Sequence, residues 1–286
     1  MNKQFEEFIV TKSEIKGLSE NTIKSYKCHI EEFINFVTLK CKGTIDKKNA
    51  CKYILYLSRN RGNSPATINA KVTAVNEFIK FCIKRKTIEE NPFEDIELPK
   101  IPHREPKSLD DEEVERLLKV AKKDNQRNFI ITILFLYTGL RKAELINLKM
   151  SDVDVKNKKI IVIGKGNKER TIFINETIIN LLKEYCENSR AKMTYKNSEY
   201  LFISNKTPQI SSKRVGEVLN SLYKQANINT QGCHILRKTN ATKLYRGGTD
   251  IVTIQRVLGH SNIHTTEIYI AIADSQKQQA AESLKF

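Results

Sequence analysis

Three of the six prolines of this chain fall within eight positions, at Pro99, Pro102 and Pro106, inside the stretch Leu98-Pro99-Lys100-Ile101-Pro102-His103-Arg104-Glu105-Pro106-Lys107. Proline has no backbone N–H to give and biases the residue before it away from the helical region, so neither a helix nor a central strand can run through such a stretch. The 286 residues are therefore read as a first domain over 1–98, a linker over 99–107 and a second domain over 108–286. Asn91-Pro92-Phe93 closes the last helical pattern before the linker.

Apolar periodicity makes the first domain helical throughout. Phe5, Phe8 and Ile9 form one stripe, and Ser19-Glu20-Asn21-Thr22 opens a second through Ile23, Tyr26, Ile30, Phe33 and Phe36. Tyr53, Ile54, Tyr56 and Leu57 mark a third, and Ser64-Pro65 opens a fourth through Ile68, Val72, Val75, Phe78, Ile79 and Cys82. Past the linker, Ser108-Leu109-Asp110-Asp111 has the form of a capping-box start, and a strongly apolar helix from Phe129 to Tyr137 is broken by Thr138-Gly139. Two β-branched runs, Lys159 to Ile163 and Thr171 to Ile174, flank Gly164-Lys165-Gly166-Asn167-Lys168-Glu169-Arg170 and predict a hairpin. Helical patterns resume at Ile178 to Leu182, Val215 to Tyr223, His234 to Tyr245 and Ile251 to Leu258. The expected fold class is mainly α, with one small antiparallel β-sheet in the second domain.

Hydrophobic residues at 40% are enough for a packed core. A formal charge of +16 and a pI near 9.5 point to a phosphate polyanion, nucleic acid above all, because Lys and Arg release its counterions on binding. Both domains carry part of that basic excess. A basic surface that merely keeps the protein dissolved is the plainer alternative. The chain offers no run approaching the ~20 apolar residues of a membrane span and no apolar signal segment at its start, so a cytoplasmic protein with no membrane partner is expected. Six cysteines, at 28, 41, 51, 82, 186 and 233, form no C-x-x-C pair, which argues against a zinc ribbon or a disulfide framework. The P-loop pattern is absent, and His260 and His264 lack His-Glu-x-x-His and a completing ligand, so neither a cofactor nor a metal is expected.

Candidate chemistry lies in the second domain. Arg141, just after a helix break, has the planar fork that suits two phosphodiester oxygens; a structural arginine beside Glu144 is the alternative. Lys165 between two glycines could bring an ammonium to a leaving oxygen, or simply be solvated. His234 and Arg237, three apart on one helix face, could converge on one anion. Tyr269 needs neighbouring cations or a base to become a nucleophile, and is otherwise a packing residue. In the first domain, Lys24 and Lys71 near Ser-, Thr- and Asn-rich helix starts are candidate DNA-backbone contacts, against ordinary N-caps as the alternative. Arg, Lys, His-x-x-Arg, His and Tyr in this order supply two anion clamps, an acid, acid/base imidazoles and a covalent nucleophile, a set suited to phosphoryl transfer.

With Thr138-Gly139-Leu140-Arg141-x-x-Glu144-Leu145, Gly164-Lys165-Gly166-Asn167-Lys168-Glu169-Arg170, His234-x-x-Arg237, Leu258-Gly259-His260 and Tyr269 in order, the sequence closely resembles the tyrosine recombinases, the phage integrase family. Gly17 to Thr22 and Ser64 to Asn69 resemble that family's SAM-like core-binding domain. The resemblance implies a site-specific recombinase whose two domains clamp double-stranded DNA, with four protomers on two recombination sites and no ATP or metal. Arg141 and Arg237 would hold the non-bridging oxygens of the scissile phosphate, Lys165 would protonate the leaving 5′-oxygen, and His234 and His260 would assist proton transfer. Tyr269 would form a 3′-phosphotyrosyl bond that a 5′-hydroxyl of the partner strand reseals. The tail after Tyr269 would bridge protomers, and a paralogous recombinase or a directionality factor could join the assembly. Lys238 stands where the family often has His, and Ile270-Ala271 where it often has Thr-His, which bears on the choice between a mobile-element integrase and a Xer-type resolvase. A silent DNA-binding protein, and a type IB topoisomerase or telomere resolvase, are the competing readings.

Overall fold

The structure, a computed structural model, describes residues 2–102, 107–164 and 169–259. The chain divides into two compact units, residues 1–104 and 105–286, and the division falls inside the proline-rich stretch.

The first unit contains α1 (Asn2–Val10), α2 (Glu20–Lys40), α3 (Lys47–Leu55) and α4 (Pro65–Lys84). Side chains of Ser19, Asp46 and Ser64 cap α2, α3 and α4, each accepting from a backbone N–H three residues on. Pro65 opens α4, where its missing N–H costs no helical bond. The buried faces of α2 and α4 meet in two clusters, one around Phe33, Tyr53, Leu57, Val75 and Ile79, the other around Phe8, Ile30 and Phe78. Rings of Phe8 and Phe78 meet edge-on at 5.5 Å, a geometry that their quadrupoles favour.

The second unit contains α5 (Asp111–Asp124), α6 (Gln126–Thr138), α7 (Lys142–Asn147), β1 (Val153–Asp154), β2 (Lys159–Ile163), β3 (Glu169–Phe173), α8 (Glu176–Glu184), α9 (Ser212–Gln225), α10 (His234–Arg246) and α11 (Ile251–Leu258). A complete capping box starts α5: Asp110 accepts from the Glu113 N–H, and Glu113 accepts from the Asp110 N–H. Helix α6 is apolar on nearly every side because it runs through the core, with α5 and α10 packed on it.

The three strands form an antiparallel sheet in the order β1-β2-β3, with Ile160 opposite Ile172 and Val162 opposite Arg170. Two differences from the expected hairpin have simple causes. Strand β3 starts at Glu169, since the register pairs Glu169 with Ile163. The additional strand β1 is only Val153-Asp154, too short for an alternating pattern to reveal it.

Candidate active site

Helix α6 ends at Thr138 because Gly139 turns left-handed, with φ +60°, and its N–H closes the last turn on the Phe135 carbonyl. The reversal places Arg141 immediately before α7. Glu144, three residues on, accepts from the Arg141 N–H at 2.7 Å, which serves the first turn of α7 as the second half of a capping box does.

Glu144 is a hub whose side chain is only 3% exposed. Its carboxylate also accepts from Arg141 Nη1 at 2.9 Å and from both Nη1 and Nη2 of Arg170, at 2.6 and 2.9 Å. Burial by itself would push this carboxyl up; the Arg170 hydrogen bonds, the Arg141 backbone N–H and the Arg170 charge outweigh it and hold the group below the ordinary carboxylate value. A cleft of about 710 Å³ opens beside this cluster, lined by Arg141, Glu144, Lys149, Val162, Ile163 and Gly164.

Three guanidinium groups meet the C-terminal end of α11. Arg170 Nε donates to the Val257 carbonyl at 3.1 Å, Arg237 Nη2 to Leu258 at 2.6 Å, and Arg141 Nη2 to Gly259 at 2.6 Å. Carbonyls at a helix C-terminus have no partner within the helix and carry its negative dipole end, so cations cap them well. Arg237 Nη1 also donates to the Gly139 carbonyl, tying the α6 turn to α10. Asn240 Nδ2 reinforces that tie with a 2.8 Å bond to the Leu136 carbonyl.

Arg141, Arg237 and His234 are thus brought into one neighbourhood. Arg237 is buried, whereas His234, at the start of α10, is exposed. Partial burial, followed by the charges of Arg237, Lys238, Lys142 and Arg141, pushes the His234 imidazole below its usual 6.5. Lys165, His260 and Tyr269 lie outside the described residues.

In the first unit the structure separates the two candidate lysines. Lys24 is exposed, 3.9 Å from Glu20. Lys71 is not free for phosphate: its side chain is 10% exposed and its ammonium sits 2.6 Å from Glu32, which also accepts from Arg61 Nε at 3.0 Å. That burial has a signal in the sequence, because Ile68, Lys71, Val72 and Val75 follow the spacing of one buried helix face. Arg170 was likewise legible as an inward residue, sharing the face of Ile172 by strand alternation. Its partner was not, since Glu144 is 26 residues away.

A basic, mainly helical fold that brings two arginines and a histidine together beside a short hairpin suits a protein that handles phosphodiesters. Residues 107–276 match the phage integrase family, and residues 5–89 match the phage integrase N-terminal SAM-like domain. The chain belongs to the phage integrase family, the tyrosine recombinases, and is a site-specific recombinase that breaks and rejoins DNA. It is 34% identical to the tyrosine recombinase XerC of Caldanaerobacter subterraneus subsp. tengcongensis, over 96% of this chain and 84% of that one. The crystal structure of XerA recombinase aligns over 99% of this chain and 100% of its own, at 29% identity and a TM-score of 0.56. The Tn1549 transposon integrase in complex with circular intermediate DNA shares the fold, at 22% identity and a TM-score of 0.76 over 93% of this chain and 94% of its own.

Proposed function

We propose that this recombinase cleaves one strand of double-stranded DNA at its recombination site by attack of the Tyr269 oxygen on the scissile phosphorus. A 3′-phosphotyrosyl bond forms as the bond to the 5′-oxygen breaks. The 5′-hydroxyl of the partner strand then attacks that phosphorus and releases the tyrosine. Bond energy is conserved, so strand exchange needs no nucleotide cofactor. Arg141 and Arg237 neutralise the non-bridging oxygens where charge builds up, and Lys165 hands its proton to the departing 5′-oxygen. His234, whose pKa burial and the neighbouring cations lower, accepts a hydrogen bond or proton from the attacking side, and His260 assists. Four copies act on two sites in the cytoplasm, as a Xer-type resolvase or a mobile-element integrase; the 34% identity to a XerC supports the former.

The observation that carries this reading is the pairing of Arg141 and Arg237 on successive carbonyls, Gly259 and Leu258, immediately before His260. Two guanidinium groups held on neighbouring carbonyls support a shared role on one phosphate, and Tyr269 follows ten positions further along the sequence. The test is a denaturing gel with nicked DNA from the regions flanking the gene. Wild type forms an SDS-resistant protein–DNA adduct, and Tyr269→Phe forms none. Salt-sensitive binding that never yields an adduct on the nicked substrate would support the silent-binder reading instead.

A further inference from the structure

Arg170 belongs to none of the roles assigned above, yet it is among the most constrained side chains of the second unit. Only 12% of it is exposed, and its three donor nitrogens are all engaged: two on Glu144 and Nε on the Val257 carbonyl. Glu144 in turn holds Arg141 twice, through the backbone N–H and through Nη1. Arg141 and Arg170 then grip the same helix end two carbonyls apart, at Gly259 and Val257. The α-carbon of Gly259 lies so near that a Cβ built there would stand 3.0 Å from Arg170 Cδ, so the arginine stem walls the exit from α11.

We propose that Arg170 is a positioning residue for strand cleavage: it holds the Glu144 carboxylate in the orientation that aims Arg141, and it fixes the end of α11 from which the segment carrying His260 and Tyr269 departs. The inference rests on the reading of Arg141 and Tyr269 given above. The physical argument is one of geometry. A carboxylate held by a bidentate guanidinium has one orientation; freed of it, the same buried charge has only Arg141 left and draws that fork toward itself and away from a phosphate. Lysine at 170 would keep the charge but could not span both carboxylate oxygens and the Val257 carbonyl together.

Single-turnover cleavage of a nicked site separates positioning from mere folding support. Amplitude reports the fraction of active protein, and the rate constant reports the geometry of those molecules. Arg170→Ala is expected to bind the site with unchanged Kd and to reach the wild-type amplitude at about one hundredth of the rate, the loss that a misplacement near 1 Å brings. Arg170→Lys is expected at an intermediate rate with full amplitude, and it decides the matter if the alanine variant does not fold. Adding Glu144→Gln to Arg170→Ala removes the stranded charge and should slow cleavage by less than the product of the two single effects. A wild-type rate in Arg170→Lys, or a lowered amplitude at unchanged rate, would overturn the proposal. Absence of any adduct with wild-type protein would instead sink the Tyr269 reading on which it stands.

Discussion

Gly139 occupies a point where backbone conformation and packing both exclude a side chain, and the two costs can be separated. Alanine there must adopt φ +60°, a left-handed conformation that costs an L residue about 1–2 kcal/mol. Its Cβ would also stand 2.9 Å from Asn240 Oδ1 and closer still to Leu258 Cδ2. Neither neighbour can retreat easily: Asn240 is held by its bond to the Leu136 carbonyl, and Leu258 is fully buried. Overpacking of this kind costs about 1–3 kcal/mol, so Gly139→Ala should destabilise the second unit by about 2–5 kcal/mol. Gly232 in the same unit supplies the control, with φ +74° and nothing within 4 Å of a built Cβ. Gly232→Ala should lose only the backbone part, about 1–2 kcal/mol. Urea denaturation with hydrogen exchange followed in α6 measures both. Equal losses in the two variants would refute the claim that Gly139 is needed for close approach. The displaced Leu258 would also carry its carbonyl away from Arg237, so cleavage should suffer beyond the loss of folded protein.

Two further outcomes follow from the charges. Burial and the neighbouring cations lower the His234 pKa from 6.5, so if its neutral form is the one that works, the cleavage rate of wild type should fall on acidification with a midpoint below 6.5, and a fall centred above 6.5 would contradict the assignment. Lys71→Met should destabilise the first unit by about 1–3 kcal/mol by leaving Glu32 half-paired, while the salt dependence of DNA binding stays as in wild type. A salt slope smaller by about one would instead return Lys71 to the phosphate backbone.

Local chemistry along the chain was enough for much of this protein. Proline placement divides it, serine and aspartate caps open its helices where periodicity begins, and alternation on either side of Gly164 sets the hairpin. The ordered motifs with Arg141, His234 and Arg237 likewise belong to the linear text, because each needs only near neighbours to be recognised. At Lys71 two local signals point different ways: it stands near a helix start, yet its place in the stripe of Ile68, Val72 and Val75 puts it inside, where Glu32 offsets the charge.

What only the tertiary structure decided is who meets whom across long separations. Glu144 finds Arg170 through the register of β2 and β3, and Arg141 reaches Gly259 across 118 positions. Arg237 reaches Leu258 because α11 packs on α10, which itself packs on α6. Such partners cannot be read from spacing, since a hydrogen bond is chosen by proximity and direction in space and not by distance along the chain. The sequence determined which groups were present and on which element each would stand; packing of the helices and the small sheet determined that Arg141, Arg170 and Arg237 met the end of α11 on successive carbonyls, with Glu144 between the first two.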